Sequence, residues 1–101
     1  MAEDKPTNPA AELDPVIHAP SRLTIVTNLY VVESADFIFL RNLTGLTWGN
    51  LSAHLTKLEE AGYVEIKKTI VSKKTHSVAA LTEEGRKAFE EYKEKMKEVL
   101  K

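Results

Sequence analysis

The chain has 101 residues, 43 % of them apolar, a formal charge of −1 and no cysteine. That length fits a single domain with a small core, and the missing thiol excludes disulfides, thiolate metal sites and cysteine nucleophiles. No apolar run reaches the length of a membrane span, and the N-terminus lacks the basic start and apolar middle of a signal peptide, so the expected location is cytoplasmic.

Residues 1–12 read as a disordered tail, with Pro6, Pro9 and too little apolar content for a packed element. Asp14-Pro15 reads as a cap followed by proline at the first helical position, opening a short turn through Val16 and Ile17. His18 lies there, with an expected role no greater than that of a partly exposed side chain. Ala19-Pro20 restarts the chain, and Ser21 to Val32 forms the first main helix. Its apolar residues, from Leu23 through Val26 and Tyr30 to Val32, make a stripe wider than one core face needs. Either the helix is sandwiched in the domain or its extra face meets a second subunit. Glu33 to Ala35 reads as a connection, with Ser34 as the next cap. Asp36 to Leu43 is a short helix with Phe37, Leu40 and Leu43 inward and Ile38 and Phe39 against the first helix. Thr44-Gly45-Leu46 turns the chain.

Thr47 to Ala61 has a written start and stop. A threonine hydroxyl can accept from the open N–H groups of the first turn. Leu51, Leu55 and Leu58 recur at helical spacing, and Gly62 suits a left-handed helix end. The opposite face, with Gly49, Asn50, Ala53, Thr56 and Lys57, is small and polar, which suits close approach to another surface. Trp48 and His54 fall on the flanks of the leucine stripe. Trp48 either presses on DNA sugar-phosphate or a thymine methyl or braces the turn, the flank position favouring the brace. His54 reads as a half-buried packing residue within reach of a phosphate. Tyr63 to Val71 alternates as a half-buried strand, with Lys68 breaking the parity where the strand leaves the core. Ser72-Lys73-Lys74-Thr75 is the hairpin tip, and His76 to Leu81 returns. Thr82 caps a last helix running to about Val99. Phe89, Tyr92, Met96 and Val99 form a heptad-like seam on it. That seam either packs on the first helix or pairs with its own copy in a second subunit.

Helix, tight turn, helix, then two strands joined by a basic hairpin make a winged helix-turn-helix. With S-A-H-L-T-K-L-E-E-A-G-Y-V (Ser52 to Val64) and A-L-T-E-E-G-R (Ala80 to Arg86), the chain resembles the winged-helix transcriptional regulators. The likeness is to the arsenic-repressor-like and MarR-like groups, above all their small stand-alone prokaryotic members, and it runs from about Leu13 to the C-terminus. It implies a mainly α fold with a small β-hairpin (α+β). The winged domain would span 13–81 and a C-terminal dimerisation helix 82–101. It also implies a homodimer that binds double-stranded DNA at an inverted repeat. The Thr47 to Ala61 helix would put Thr47, Trp48, Asn50, Ser52, Ala53, His54, Thr56 and Lys57 at the major groove. Lys73, Lys74, Thr75 and His76 would lie on flanking backbone. The dimer would use Leu23, Val26, Tyr30, Phe89, Tyr92, Met96 and Val99. The wing departs from the family, where arginine is common; lysine gives point-charge phosphate contacts.

Charge distribution agrees with that placement. Residues 1–14 carry −3, from Glu3, Asp4, Glu12 and Asp14 against Lys5. Residues 47–81 carry +2, from Lys57, Lys67, Lys68, Lys73 and Lys74 against Glu59, Glu60 and Glu65. No Gly-rich phosphate loop, metal-ligand spacing or nucleophile–base pair is present, so neither an enzyme nor a cofactor is expected. A small-molecule effector between the first and last helices has no residue that names it. The other function class is a protein-docking winged helix, which the near-neutral pI of about 6.3 favours; a nonspecific chromatin-associated binder is the remaining alternative.

Overall fold

The structure is a computed structural model that describes residues 8–101. Its elements are α1 (Pro20–Val32), β1 (Ser34–Asp36), α2 (Phe37–Thr44), α3 (Trp48–Glu60), β2 (Val64–Val71), β3 (Lys74–Leu81) and α4 (Glu83–Val99). The strands form an antiparallel sheet in the order β1-β3-β2. This is the expected α+β winged helix.

Side-chain caps start α2, α3 and α4, while α1 opens on Pro20 with no side-chain cap. The Asp36 carboxylate accepts from Ile38 N at 2.6 Å, Thr47 Oγ1 from Asn50 N at 3.1 Å and Thr82 Oγ1 from Gly85 N at 2.9 Å. Each satisfies a backbone donor that the first helical turn leaves open. α3 ends as expected. Gly62 is left-handed at φ 83°, its N–H reaches Glu59 O, and Tyr63 N–H reaches Leu58 O, both at 2.9 Å. This paired closure is the Schellman pattern.

The core joins Ile25, Val26 and Leu29 of α1, Leu40 of α2, the three leucines of α3, Val64 and Ala79 of the sheet, and Phe89 and Tyr92 of α4. Leu13 and Ile17 also enter it, from the segment before α1. That segment was expected to begin in disorder over residues 1–12. Residues 1–7 lie outside the described residues, while Pro9–Glu12 form a 3-10 turn capped by Asn8. Two burying side chains, Leu13 and Ile17, supply an apolar anchor that composition alone understates. Asp14 does cap the turn beyond, accepting from Val16 N at 2.8 Å.

Two expectations fail for identifiable reasons, and the α4 seam takes one of its two readings. The connection Glu33 to Ala35 contains β1, whose Ser34, Ala35 and Asp36 pair with Ala80, Ala79 and Val78. Glu33 at φ 74° reverses the chain into that strand, so Asp36 rather than Ser34 caps α2. Ile38 and Phe39 do not pack on α1; both are about half exposed, as is Leu43 at 42 %. α2 is only two turns long, and Leu40 alone of its residues is buried. The seam of α4 faces its own domain. Phe89 meets the Tyr30 ring at 4.9 Å between centroids, and Tyr92 OH lies 2.7 Å from His18 Nδ1. Val26, Phe89 and Tyr92 are therefore core residues of one chain, not surface for a second copy.

Candidate nucleic-acid interface

α3 is two-faced. Leu51, Leu55 and Leu58 are fully buried. Gly49, Asn50, Ser52, Ala53, Thr56 and Lys57 are all exposed. Positions 49, 52 and 56 make one row along the helix and 50, 53 and 57 the next. The resulting strip offers an amide, two hydroxyls, one ammonium and two positions with almost no side chain. It can hydrogen-bond and come close to a groove floor, and the carboxylates of Glu59 and Glu60 stand only beyond its C-terminal end.

The wing adjoins the start of this helix. A cleft of about 410 Å³ is lined by Trp48, Lys74, Thr75 and His76 together with Asp36 and Ile38. Four of the residues picked out in the sequence thus meet in one place. Trp48 is 48 % exposed, and the Arg41 guanidinium stands 4.9 Å from its ring centroid. Arg41 is a residue the sequence reading did not place at the site. Its signal was its position, one turn before the helix-turn-helix turn and seven residues before the tryptophan. A cation over an indole face is attracted by the ring quadrupole.

Two histidines sit differently from the expectation. His76 does not project toward a phosphate: its Nδ1 lies 2.7 Å from Asp36 Oδ2. The Ile38 amide first, and His76 after it, hold the Asp36 carboxyl below the ordinary carboxylate range. His54 is half buried, as expected for packing, but its Nδ1 lies 3.1 Å from Arg22 Nη1 and so faces α1. Burial, then the Arg22 charge, push its pKa down. Both histidines leave the exposed strip.

The hairpin is tighter than expected. Val71 pairs with Lys74, so Ser72 and Lys73 alone make the turn, at φ 52° and 66°. Lys74 and Thr75 belong to β3. Beyond Ile66 the residues of β2 are exposed, with Ile70 at 74 %, so the tip stands clear of the core. Lys67, Lys68, Lys73 and Lys74 are all exposed on this arm. Among the described residues no group of His, Cys, Asp and Glu could hold a metal, and no helix is long and apolar enough to cross a membrane.

The model of the winged helix DNA-binding domain family matches residues 21–100. The chain is 38 % identical over 77 residues to the uncharacterized protein MJ0432 of Methanocaldococcus jannaschii, covering 76 % of this chain and 84 % of that one. Among solved structures it is similar to a transcriptional regulator homologue of Pyrococcus horikoshii OT3, with TM-score 0.79, 27 % identity and 84 % of each chain covered. It is also similar to NadR, solved in complex with 4-hydroxyphenylacetate, with TM-score 0.69 and 28 % identity over 83 % of this chain and 62 % of that one. An ArsR-family transcriptional regulator shares the fold at TM-score 0.60 and 18 % identity, over 84 % of this chain and 82 % of that one.

Proposed function

The chain belongs to the winged helix DNA-binding domain family, and on that premise we propose that it is a sequence-specific, homodimeric regulator of transcription. α3 enters the major groove. Asn50 is placed to pair with an adenine edge, and Ala53 or Thr56 to touch a thymine methyl. Lys57, Lys73 and Lys74 take phosphates, which set register and affinity without reading sequence. Two copies read an inverted repeat with half-sites roughly 34 Å apart. The observation that carries the reading is the exposed small and polar face of α3, opposite three fully buried leucines.

With Val26, Phe89 and Tyr92 inside the core, the second copy is left Leu23, Tyr30, Met96 and Val99, which are partly covered, and Val31, which is 75 % exposed. A cleft of about 440 Å³ runs along α1 between Leu23, Thr27, Asn28, Val31 and Leu43. Asn28 Oδ1, buried there, has no hydrogen-bond partner. A second copy over this face would roof the cleft. NadR's complex with an aromatic acid supports including a small-molecule effector in the proposal, held against these apolar walls. The protein-docking alternative draws on half-exposed Ile38, Phe39 and Trp48. Arg41 covers the indole, which favours the DNA reading.

The test is fluorescence anisotropy with duplex from upstream of the protein's own gene against scrambled duplex, over a salt series. Tight, salt-dependent and selective binding is the expected result. Replacing Lys73 and Lys74 together by Ala should weaken binding to every duplex and lower the salt slope by about 2, near 0.9 for each lost phosphate contact. An unchanged slope removes the wing from the interface. Equal weak binding to both duplexes would mean a nonspecific binder, and no binding at low salt would turn the search to a protein partner.

A further inference from the structure

Arg22 stands in the first turn of α1 and reaches three groups at once. Its Nε donates to Val16 O at 2.6 Å, its Nη2 to Pro15 O at 3.5 Å, and its Nη1 lies 3.1 Å from His54 Nδ1. The two carbonyls belong to the turn before α1, so they fix the guanidinium from the side away from α3. Among the described residues this is the one side-chain hydrogen bond that ties α3 to another element. Apart from the Arg41 guanidinium over Trp48 at the helix start, α3 is held to the body by apolar packing of Leu51, Leu55 and Leu58. Apolar burial is non-directional and tolerates small rotations of a helix about its axis. A hydrogen bond weakens steeply with angle and does not. His54 also directly follows Ala53 of the exposed strip, so a turn of the helix at one moves the other.

Building on the DNA-binding reading, we propose that Arg22 is a positioning residue for α3, acting through unprotonated His54 Nδ1, and that protonation of His54 releases the helix and weakens DNA binding. A guanidinium carries donors only and keeps its proton throughout the accessible pH range. The imidazole must therefore accept at Nδ1 and carry its proton on Nε2. A proton added at Nδ1 places a second donor 3.1 Å from the first and a positive charge beside a permanent one.

The surrounding charges do not offset this. From α1 the charge that bears on the ring is Arg22 itself. In the segment before α1, Asp14 spends its carboxylate on Tyr63 OH and the amides of Val16 and Ile17. Glu12 lies toward Lys95, and His18 toward Tyr92 OH. On α3 itself Lys57, Glu59 and Glu60 are exposed. Burial and Arg22 both lower the His54 pKa from 6.5, so release belongs to pH below the ordinary histidine range. His76 faces the Asp36 carboxylate rather than a cation, at 2.7 Å, so its contribution has to be separated from that of His54 by substitution.

His54→Gln separates them. Its amide oxygen can accept from Arg22 at any pH and gains no proton, while His76 is untouched. In anisotropy titrations at fixed salt from about pH 7.5 to 5, wild-type affinity should fall about tenfold more than that of His54→Gln, the change expected per unit of pKa coupling. Arg22→Gln, with no permanent charge facing the ring, should lose most of that difference. Identical pH profiles for wild type and His54→Gln would overturn the proposal. Nitrogen NMR of the imidazole in the free protein gives an arm that needs no DNA. Nδ1 should be unprotonated at neutral pH, and the backbone amides of residues 51–58 should shift with the same midpoint as the ring. A ring that titrates without moving those amides would also overturn it. Should wild type bind no duplex at low salt at any pH, the DNA reading fails, while the NMR arm still decides whether Arg22 and His54 hold α3.

Discussion

Gly49 stands on the exposed face of α3 with nothing within 4 Å of where a Cβ would sit. Its φ is not left-handed, so neither the fold nor its backbone requires glycine. An exposed helical glycine costs roughly 0.5–1 kcal/mol against alanine, and that cost fits a surface that must come close to a partner. Gly49→Ala should raise the thermal midpoint and lower DNA affinity, two changes of opposite sign that calorimetry and anisotropy read separately. A variant both more stable and equally tight would show that this end of α3 stays clear of the groove. Gly85 is the opposite case. A Cβ there would fall 2.2 Å from Tyr63 O and 2.9 Å from Leu81 Cδ1. Gly85→Ala should cost at least about 2 kcal/mol, within the range for overpacked sites, measured as a lower urea midpoint. The same contact explains why the two sequence motifs are specific together. Tyr63 O accepts from Thr82 N at 3.0 Å and Gly62 O from Thr82 Oγ1 at 2.6 Å. The A-G-Y end of one motif is clamped to the L-T-x-x-G start of the other. The histidines were not legible in this way. The partners of His18, His54 and His76 lie 74, 32 and 40 positions away in the chain, and no local pattern encodes such pairings.

The long elements were readable because each carried both a period and a cap. Thr47 with three spaced leucines, and Thr82 with Phe89 and Tyr92, gave helices whose bounds differ from expectation by a residue or two. β1 was not readable, because Ser34-Ala35-Asp36 shows no alternation and becomes a strand only where β3 offers a free edge. The hairpin was found but its tip was misjudged by two residues. A two-residue turn with both central φ values positive is the type I′ form, which favours Asn-Gly. Ser72 and Lys73 adopt it at a cost in backbone strain. Replacing the pair by Asn-Gly should stabilise the protein by about 1 kcal/mol, seen in denaturant unfolding. It should also weaken binding to all duplexes and lower the salt slope by about 1, because Lys73 is gone. A stabilised wing with an unchanged slope would leave Lys74, Lys67 and Lys68 as the phosphate contacts.

Across the whole chain, the α4 seam and the exposed end of α1 bear on a dimer in opposite ways. Spacing alone could not decide which surface Phe89 and Tyr92 would meet, since an apolar stripe looks the same whether it covers its own core or a partner's. Leu13 and Ile17, from the short stretch before α1, help complete the core that receives them. That removes the central part of the expected seam and moves the dimer question to α1. Val31 is 75 % exposed beside Leu43, and the cleft between them is lined by uncharged residues, so two copies meeting there face no like-charge repulsion. Burying Val31 would return roughly 2 kcal/mol per copy, whereas an aspartate would bring two carboxylates together in an apolar interface. Val31→Asp should therefore leave the circular dichroism unchanged while sedimentation equilibrium moves from twice 11.3 kDa toward one. Binding to an inverted repeat should then fall to the level of a single half-site. A mass that stays at twice the chain would place the interface at Met96, Val99 and Leu100. A wild-type mass of one chain would leave each α3 reading a half-site alone, and spacing between half-sites would no longer affect affinity.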